Sequence, residues 1–565
     1  MSAIADRVAA WWSPLEPTVS PHRAPFLRRL AATAASTGVL IAVFLLLQRF
    51  VDRVCRFPDP DAAAASILAA CVERRPLLLL PALAAGALLL AAFPRLRQGW
   101  RQFDGGESLR WFVTAVAVLL AWAGSAYPYN AWYDQAHLAD RAAIVLLAAL
   151  VPWRPVFVLP FVIAFWAVMW QFDVPPLGFQ ILVAEFRPVL NVLTMFSAAL
   201  LVQAVSGSRD VSAFLFLVLC IVAANFWVPG LAKLQIGWIA HGHVYFLLPN
   251  AYTHGWLGFL EPEAIARAGE ALARADWPMR IGTLIVECGA LLVLAGARTA
   301  RTLLVAFTVL LGAFFLTLGY LFWKWIALHV ALWVVLFGSA APPAAVWRRD
   351  LFSGVRFAVS VVVIGGAGYW CAPAALAWFD TPLTNTLHYE GVGRSGAVYD
   401  LPPGFFAPYE SHVAMATFAE RLIGEPLLAT SYGVTASRPM ADALLGARDP
   451  SDVIRIETAV RPSDGVAIDR AFAEQFDRFV RRTAIVSNRG VGDRVGVRRL
   501  LSFVAPPPFL WTFGRGRPYR HDEPLASIRV YWVSSLFDGR EYVVFRRVPV
   551  RSIDLGGEAP RDSPG

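Results

Sequence analysis

The segment VSAFLFLVLCIVAANFWVPGL, residues 211–231, contains no charged side chain. It has the length at which a helix crosses the apolar core of a bilayer, about 20 residues. The sequence therefore predicts a polytopic α-helical membrane protein with about 11 transmembrane (TM) helices. The other ten apolar runs lie at about residues 30–50, 77–94, 110–128, 138–152, 155–172, 189–206, 279–297, 302–320, 322–340 and 354–376.

The composition agrees with a membrane location. Hydrophobic residues make up 57% of the 565 residues, charged residues 16%, and the mean hydropathy is +0.53, which excludes a chain folded wholly in water. Residues 1–379 hold 27 Lys and Arg and 19 Asp and Glu, whereas residues 380–565 hold 23 and 22. We therefore expect a cytoplasmic N-terminal segment (1–29), a TM domain (30–378) and a soluble domain (379–565). Most of the net charge of +9 falls in the membrane part, which argues against a nucleic-acid partner.

The soluble domain is predicted to be α+β. Residues 412–424 and 467–482 have apolar side chains at helical spacing, whereas residues 452–460 (DVIRIETAV) alternate as a strand does. Residues 527–550 are typical of a β-hairpin, since an Asp-Gly pair separates two β-branched and aromatic runs. We expect a small sheet packed against one or two helices.

Arginine in the short loops sets the expected orientation. An odd number of spans and a cytoplasmic N-terminus place the soluble domain outside the cytoplasm, on the outer face of a bacterial inner membrane. Treating residues 302–340 as one helix would reverse this, but that length is nearly twice a normal span, so two helices are expected. Four arginines between the first two spans fall on the outer side. The arginines that this orientation places in the cytoplasm, as the positive-inside rule requires, are Arg95, Arg97, Arg101, Arg110, Arg154, Arg209, Arg298, Arg301, Arg348 and Arg349.

Lysine is almost absent, because the chain has 48 arginines and only two lysines, Lys233 and Lys324. Both lie at or inside predicted TM segments, where an ionisable group is expensive and often functional. Lysine also differs from arginine in that it can be deprotonated when it is desolvated. Lys233 is the stronger functional candidate, with snorkelling to the interface as its structural alternative. Lys324, between two tryptophans near a helix end, is more typical of an interface anchor.

Histidines follow the first lysine closely. His241, His243 and His254 lie within twenty-one residues of Lys233, and on a continuing helix His241 would reach the same pocket as Lys233. The His-x-His pair would bind a metal ion only with a third ligand, which the sequence does not place. The sequence also has no CxxC or HExxH motif, so no metal site is predicted.

Two further ionisable residues fall inside predicted spans. Glu287 is centred in IGTLIVECGALLVL and must be neutral, hydrogen-bonded or paired, with Lys324 or a histidine as the expected partner. His329 lies on an apolar background and is typical of a satisfied core histidine.

The segment FWVPGLAKLQIGW, residues 226–238, resembles the signature of the horizontally transferred transmembrane (HTTM) family, which includes the vitamin K-dependent γ-carboxylases. In that family a TM helix ends in Gly, two residues of small or basic character, Lys-Leu, a short spacer and Trp. Here these are Gly230, Lys233, Leu234 and Trp238. The resemblance covers about residues 110–340.

This resemblance implies an enzyme that oxygenates a reduced quinone and uses the lysine at this position as the base that deprotonates it. In the carboxylases the product then removes a γ-proton from a glutamate, which adds carbon dioxide. The candidate catalytic residues are therefore Lys233 and His241. The candidate substrate-binding residues are Trp238, His243, Glu287, Lys324 and His329.

Three functions remain open at this point. The first is an enzyme that acts on a quinone-type or protein substrate in an outward-facing pocket around Lys233 and His241. The second is a transporter or channel whose path is lined by Glu287, Lys324 and His329. The third is a membrane scaffold without catalytic activity, whose outer domain binds a partner.

Overall fold

A computed structural model describes most of the chain. The description covers residues 26–55, 66–74, 94–126, 137–170, 180–338, 342–406, 409–416, 418–460, 467–489, 511, 516–537 and 542–556. Most of the expected N-terminal segment and nearly all of the predicted span 77–94 lie outside these ranges.

The membrane part is a bundle of α-helices. Its helices are α1 Phe26–Cys55, α2 Ile67–Arg74, α3 Gly106–Ala126, α4 Leu138–Leu150, α5 Val158–Trp170, α6 Gln180–Ser206, α7 Ser212–Gln235, α8 Trp238–His241, α9 Leu247–Thr253, α10 Pro262–Gly289, α11 Ala297–Leu318, α12 Trp323–Phe337, α13 Pro342–Leu351 and α14 Gly354–Gly365. Among the described residues, five helices are long and apolar enough to cross a bilayer: α1, α3, α6, α7 and α11. Helices α5, α12 and α14 are apolar but shorter. The chain is thus a multi-pass membrane protein by these helices, and the count of eleven spans stays a prediction.

The region 302–340 forms two helices, as predicted. Helix α11 ends at Gly319, whose φ of +65° is a left-handed conformation that glycine adopts without strain. A Cβ atom at this position would lie 2.8 Å from the Trp256 ring and 2.9 Å from the Trp511 indole nitrogen. The glycine therefore both ends the helix and lets two tryptophans pack over its end.

One end of the bundle gathers the arginine-rich loops. The Trp100 indole donates to the Val151 carbonyl at 3.0 Å, and the Asp104 main-chain N–H donates to the Arg209 carbonyl at 3.0 Å. Arg348 donates to a carbonyl in the last turn of α12. The loops before α3, after α4 and between α6 and α7 therefore meet at the same end.

The opposite end carries the C-terminal domain. Its helices are α15 Glu410–Met415, α16 Ala419–Ile423, α17 Arg438–Leu445, α18 Pro450–Val460 and α19 Arg470–Arg489. Its strands are β1 Phe379–Asp380, β2 Leu383–Gly393, β3 Val398–Asp400, β4 Val434–Thr435, β5 Leu525–Phe537 and β6 Tyr542–Asp554. An antiparallel sheet has the order β3-β2-β5-β6, and β1 pairs with β4 separately. Helix α19 packs on β5 and β6, so the predicted α+β character and the hairpin are confirmed.

The strand predicted at residues 452–460 is wrong, because these residues belong to α18. The helix starts at an Asp-Pro pair: the Asp449 carboxylate accepts from the main-chain N–H groups of Ser451 and Asp452, and Pro450 occupies the first turn. Both are start signals of a helix. The predicted helix at 412–424 is also interrupted, since Ala416 has a φ of +51° between α15 and α16.

Candidate functional site around Lys233

Helices α7 and α10 approach each other closely at Gly230. A Cβ atom on Gly230 would lie 2.8 Å from the Glu287 Cβ and 3.2 Å from the Cys288 main-chain nitrogen. Only glycine permits this separation. Lys233 comes three residues later, on the same face of α7. The three-residue spacing of Gly230 and Lys233 thus brings the lysine directly against α10.

Lys233 and Glu287 form a buried ion pair. The Lys233 Nζ donates to the two Glu287 carboxylate oxygens at 2.7 and 3.0 Å, and the residues are 6% and 3% exposed. The expectation that Glu287 is buried and paired is therefore confirmed, but the expected partner, Lys324 or a histidine, is wrong, since its partner is Lys233. The Nζ also lies 5.6 Å from the centroid of the Trp238 ring, which gives the cation an aromatic neighbour.

The chain after α7 folds back over this pair in a connection that we name the cap segment, residues 236–260. Gly237, with a φ of +72°, ends α7 and starts α8. Arg280 of α10 donates to the Ile239 carbonyl, and Asp276 of α10 accepts from the Tyr245 main-chain N–H at 3.3 Å. The cap segment is thus fixed to the helix that carries Glu287.

Asp380, on the first strand of the C-terminal domain, reaches the cap segment. Its carboxylate accepts from the His243 main-chain N–H at 3.4 Å, and the residue is 1% exposed. The Oδ1 atom is buried without a hydrogen-bond partner among the described residues. Burial raises the pKa of Asp380 to about 7, because the low-dielectric interior disfavours the charged carboxylate.

The remaining predicted residues fall into separate places. His241 is half-buried on α8 and His243 is half-buried in the cap segment, where burial lowers its pKa. Lys324 is buried elsewhere, with its Nζ 4.7 Å from the Phe186 ring centroid on α6. His329 packs against phenylalanines of α7 and α11. Lys233, Trp238 and Glu287 are therefore brought together, whereas Lys324 and His329 lie at other helix contacts.

The C-terminal domain contacts the cap segment through polar groups. The Asn250 amide donates to the Tyr432 carbonyl at 2.7 Å, and the Tyr542 hydroxyl donates to the Asn250 side-chain oxygen. His254 donates from Nε2 to the Ser431 carbonyl at 2.6 Å. Burial lowers the pKa of His254 to about 4, so this histidine stays neutral near pH 7.

A cavity of about 550 Å³ lies between the cap segment and the sheet. Pro249 and Tyr252 line one side, and Thr386, His388 and Ser535 line the other. None of these residues was predicted from the sequence to belong to a site. The alternation of polar side chains at 386, 388 and 390 along β2 is the signal that identifies this face of the sheet.

Asp380 was also missed. It stands alone as an acidic residue just after the last predicted span, in CAPAALAWFDTP. Neither periodicity nor a motif marks it, because its importance depends on contacts with residues more than 100 positions earlier.

No protein-family model, curated protein or solved structure matches the chain.

Proposed function

We propose that the protein is a membrane enzyme that acts on a lipid-soluble substrate of the reduced quinone type, with Lys233 as the group that accepts a proton. The observation that carries the proposal is the buried Lys233–Glu287 pair beneath the cap segment. The quinone class comes from the HTTM-like residues Gly230, Lys233 and Trp238. His241 and His243 belong to the same proposed pocket through the cap segment.

The ion pair supplies a route to a neutral amine. Transfer of one proton from the Lys233 ammonium to the Glu287 carboxylate converts two buried charges into two neutral groups, and burial reduces the cost of this transfer because it penalises both charged forms. The neutral amine then takes the proton of a quinol hydroxyl and leaves a quinol anion. In the vitamin K-dependent γ-carboxylases, which this segment resembles, molecular oxygen is the oxidant that reacts with this anion.

Arginine distribution supports an extracytoplasmic position for this pocket. The arginine-rich loops gather at the end of the bundle opposite to the outer domain. By the positive-inside rule that end is cytoplasmic. The proposed topology therefore has a cytoplasmic N-terminus and an outer domain in the periplasm of a bacterial inner membrane.

The test uses the purified full-length protein in lipid nanodiscs with a reduced isoprenoid quinone and oxygen. Quinol consumption and its oxygenated product are followed by liquid chromatography. We expect Lys233→Arg to lower turnover by about 100-fold or more, because arginine stays protonated and cannot accept the proton. Glu287→Gln should lower it as well.

A matched control is available on the same helix. Glu270 of α10 is solvent-exposed and pairs with Arg274, so Glu270→Gln should retain full turnover. Full turnover by Lys233→Arg, or no turnover by the unmodified protein, would overturn the proposal.

The two alternatives give different results in this series. A transport path through Lys324 and His329 requires those residues, so loss of substrate flux in Lys324→Ala with normal flux in Lys233→Arg would favour a transporter. A scaffold requires none of the buried ionisable groups. The separate positions of Glu287 and Lys324, at different helix contacts, count against a single path through both.

A further inference from the structure

The sheet face that lines the 550 Å³ cavity carries three side chains with metal-binding atoms. His388 and Glu390 are two residues apart on β2, so they lie on the same face of the sheet. Asp400 of β3 is directly opposite Glu390 in the antiparallel register. The strand pairing therefore brings one imidazole and two carboxylates to one place.

The spacing of these atoms suits a single metal ion. One ligand atom from each residue lies within 4.8 Å of the other two, and the His388 Nε2 and Asp400 Oδ1 are 2.9 Å apart. Two ligands of one Zn²⁺ ion, each about 2.0–2.2 Å from the metal, are separated by a similar distance.

Asp400 is oriented by a glycine. The Gly516 main-chain N–H donates to Asp400 Oδ2 at 2.8 Å. A Cβ at residue 516 would lie 2.6 Å from that oxygen, so only glycine allows this approach. The contact holds Oδ2 and leaves Oδ1 directed at His388. Such outer contacts are what fix the ligands in metal sites.

Glu390 has a competing partner. The Arg547 guanidinium forms an ion pair with Glu390 and lies 4.4 Å from the Tyr531 ring centroid. A metal ion must displace this guanidinium from at least one carboxylate oxygen. Arg547 therefore opposes metal binding, and replacing this side chain with an uncharged one should increase the affinity for the metal ion.

We propose that His388, Glu390 and Asp400 bind one first-row divalent metal ion of the Zn²⁺ or Mn²⁺ class, with its remaining coordination positions open to the cavity. Mixed imidazole and carboxylate ligands favour these ions over Mg²⁺ and Ca²⁺, which take oxygen ligands. Three protein ligands with an open position are the arrangement of catalytic rather than structural zinc sites. This inference does not rest on the proposed chemistry at Lys233.

The experiment uses full-length protein in detergent, stripped with a chelator and dialysed. Zn²⁺ alone is titrated by calorimetry, and Mn²⁺ alone by electron paramagnetic resonance. We expect one site per chain, and an affinity lower by about tenfold or more in His388→Ala and in Asp400→Asn. Arg547→Met should bind more tightly than the unmodified protein. Substrate is absent, so the result is independent of any turnover.

His521→Ala and Asp442→Asn are the matched controls, because both residues are exposed and lie outside the cavity lining. They should bind as the unmodified protein does, and melting curves of all variants without metal establish that they are folded. Absence of binding in both the unmodified protein and Arg547→Met would overturn the proposal. Unchanged metal affinity in folded His388→Ala and Asp400→Asn would also overturn the proposal. The contact between His388 and Asp400 would then be an ordinary hydrogen bond.

Discussion

Lys233 and Glu287 depend on each other for their burial. In Glu287→Gln the ammonium loses its counter-charge, which we expect to lower the free energy of unfolding by about 3–5 kcal/mol. In the double variant Lys233→Met, Glu287→Met no charge is buried, so stability should return to near that of the unmodified protein. Thermal unfolding in detergent measures both. Turnover should be absent in the double variant, which separates the structural role of the pair from its chemical role.

The contrary result is equally clear. Stability in Glu287→Gln equal to that of the unmodified protein would mean that the ammonium does not need the carboxylate, and the ion pair would then have no structural importance.

Asp380 makes stability depend on pH in a defined direction. Its pKa is about 7 in the folded protein and about 3.9 in an unfolded chain. The folded state therefore binds more protons between these values, and its stability falls as pH rises from about 4 to 7. The groups that act on the carboxylate are the His243 N–H, Asp276, Trp378 and Lys233. Such a shift in pKa changes the free energy of unfolding by about 4 kcal/mol at most.

Asp380→Asn should remove this dependence. Unfolding curves of variant and unmodified protein, compared between pH 4 and 8, should diverge as pH rises, with the variant gaining relative stability. Asp442→Asn removes an exposed carboxylate and serves as the control. Its stability should follow that of the unmodified protein at every pH. Parallel curves for Asp380→Asn would contradict the prediction.

At the scale of elements, the contact between α7 and α10 depends on one missing side chain. Gly230→Ala places a Cβ 2.8 Å from the Glu287 Cβ, so the helices must separate. We expect a loss of about 1–3 kcal/mol in the free energy of unfolding, as for overpacked cores, with reduced turnover. Gly282→Ala is the matched control, since a Cβ there meets nothing within 4 Å. It should be neutral or stabilise α10 by about 0.5–1 kcal/mol. Equal stability of both variants would refute the close contact.

Sequence patterns predicted the helices and strands better than the contacts between them. The rarity of lysine drew attention to Lys233, and apolar runs indicated α7 and α11 directly. The partner of Glu287 was missed because it depends on how closely two helices pack at Gly230, which no periodicity reveals. Residues 452–460 fit both a strand and a helix period, and the Asp449-Pro450 start signal resolves the choice.

At the scale of the whole molecule, the C-terminal domain and the arginine-rich loops lie at opposite ends of the bundle. We expect a periplasmic reporter fused after residue 565 to be active and a cytoplasmic reporter at the same position to be silent. Fusions after residue 208, between α6 and α7, should show the reverse pattern and serve as the internal control. Two active cytoplasmic fusions would place both ends of the bundle on one side and overturn the topology.

The overall organisation was predictable in outline, because the rise in charge density near residue 380 marks the change from the helical bundle to the C-terminal domain. The clustering of His388, Glu390 and Asp400 was not, since it requires the register of β2 and β3. The contact of Asp380 with the cap segment also joins residues 137 positions apart, beyond the reach of any local pattern.

The hydrogen bond between Asn250 and Tyr542 has a consequence for biosynthesis. These residues are 292 positions apart, so Asn250 emerges from the ribosome long before its partner. The bundle is synthesised while the cap segment still lacks this contact, and the last hairpin must be synthesised before it can close over that segment. Completion of the cavity is therefore coupled to completion of the hairpin, and a ribosome that stops before residue 542 releases a chain whose cap segment lacks this contact.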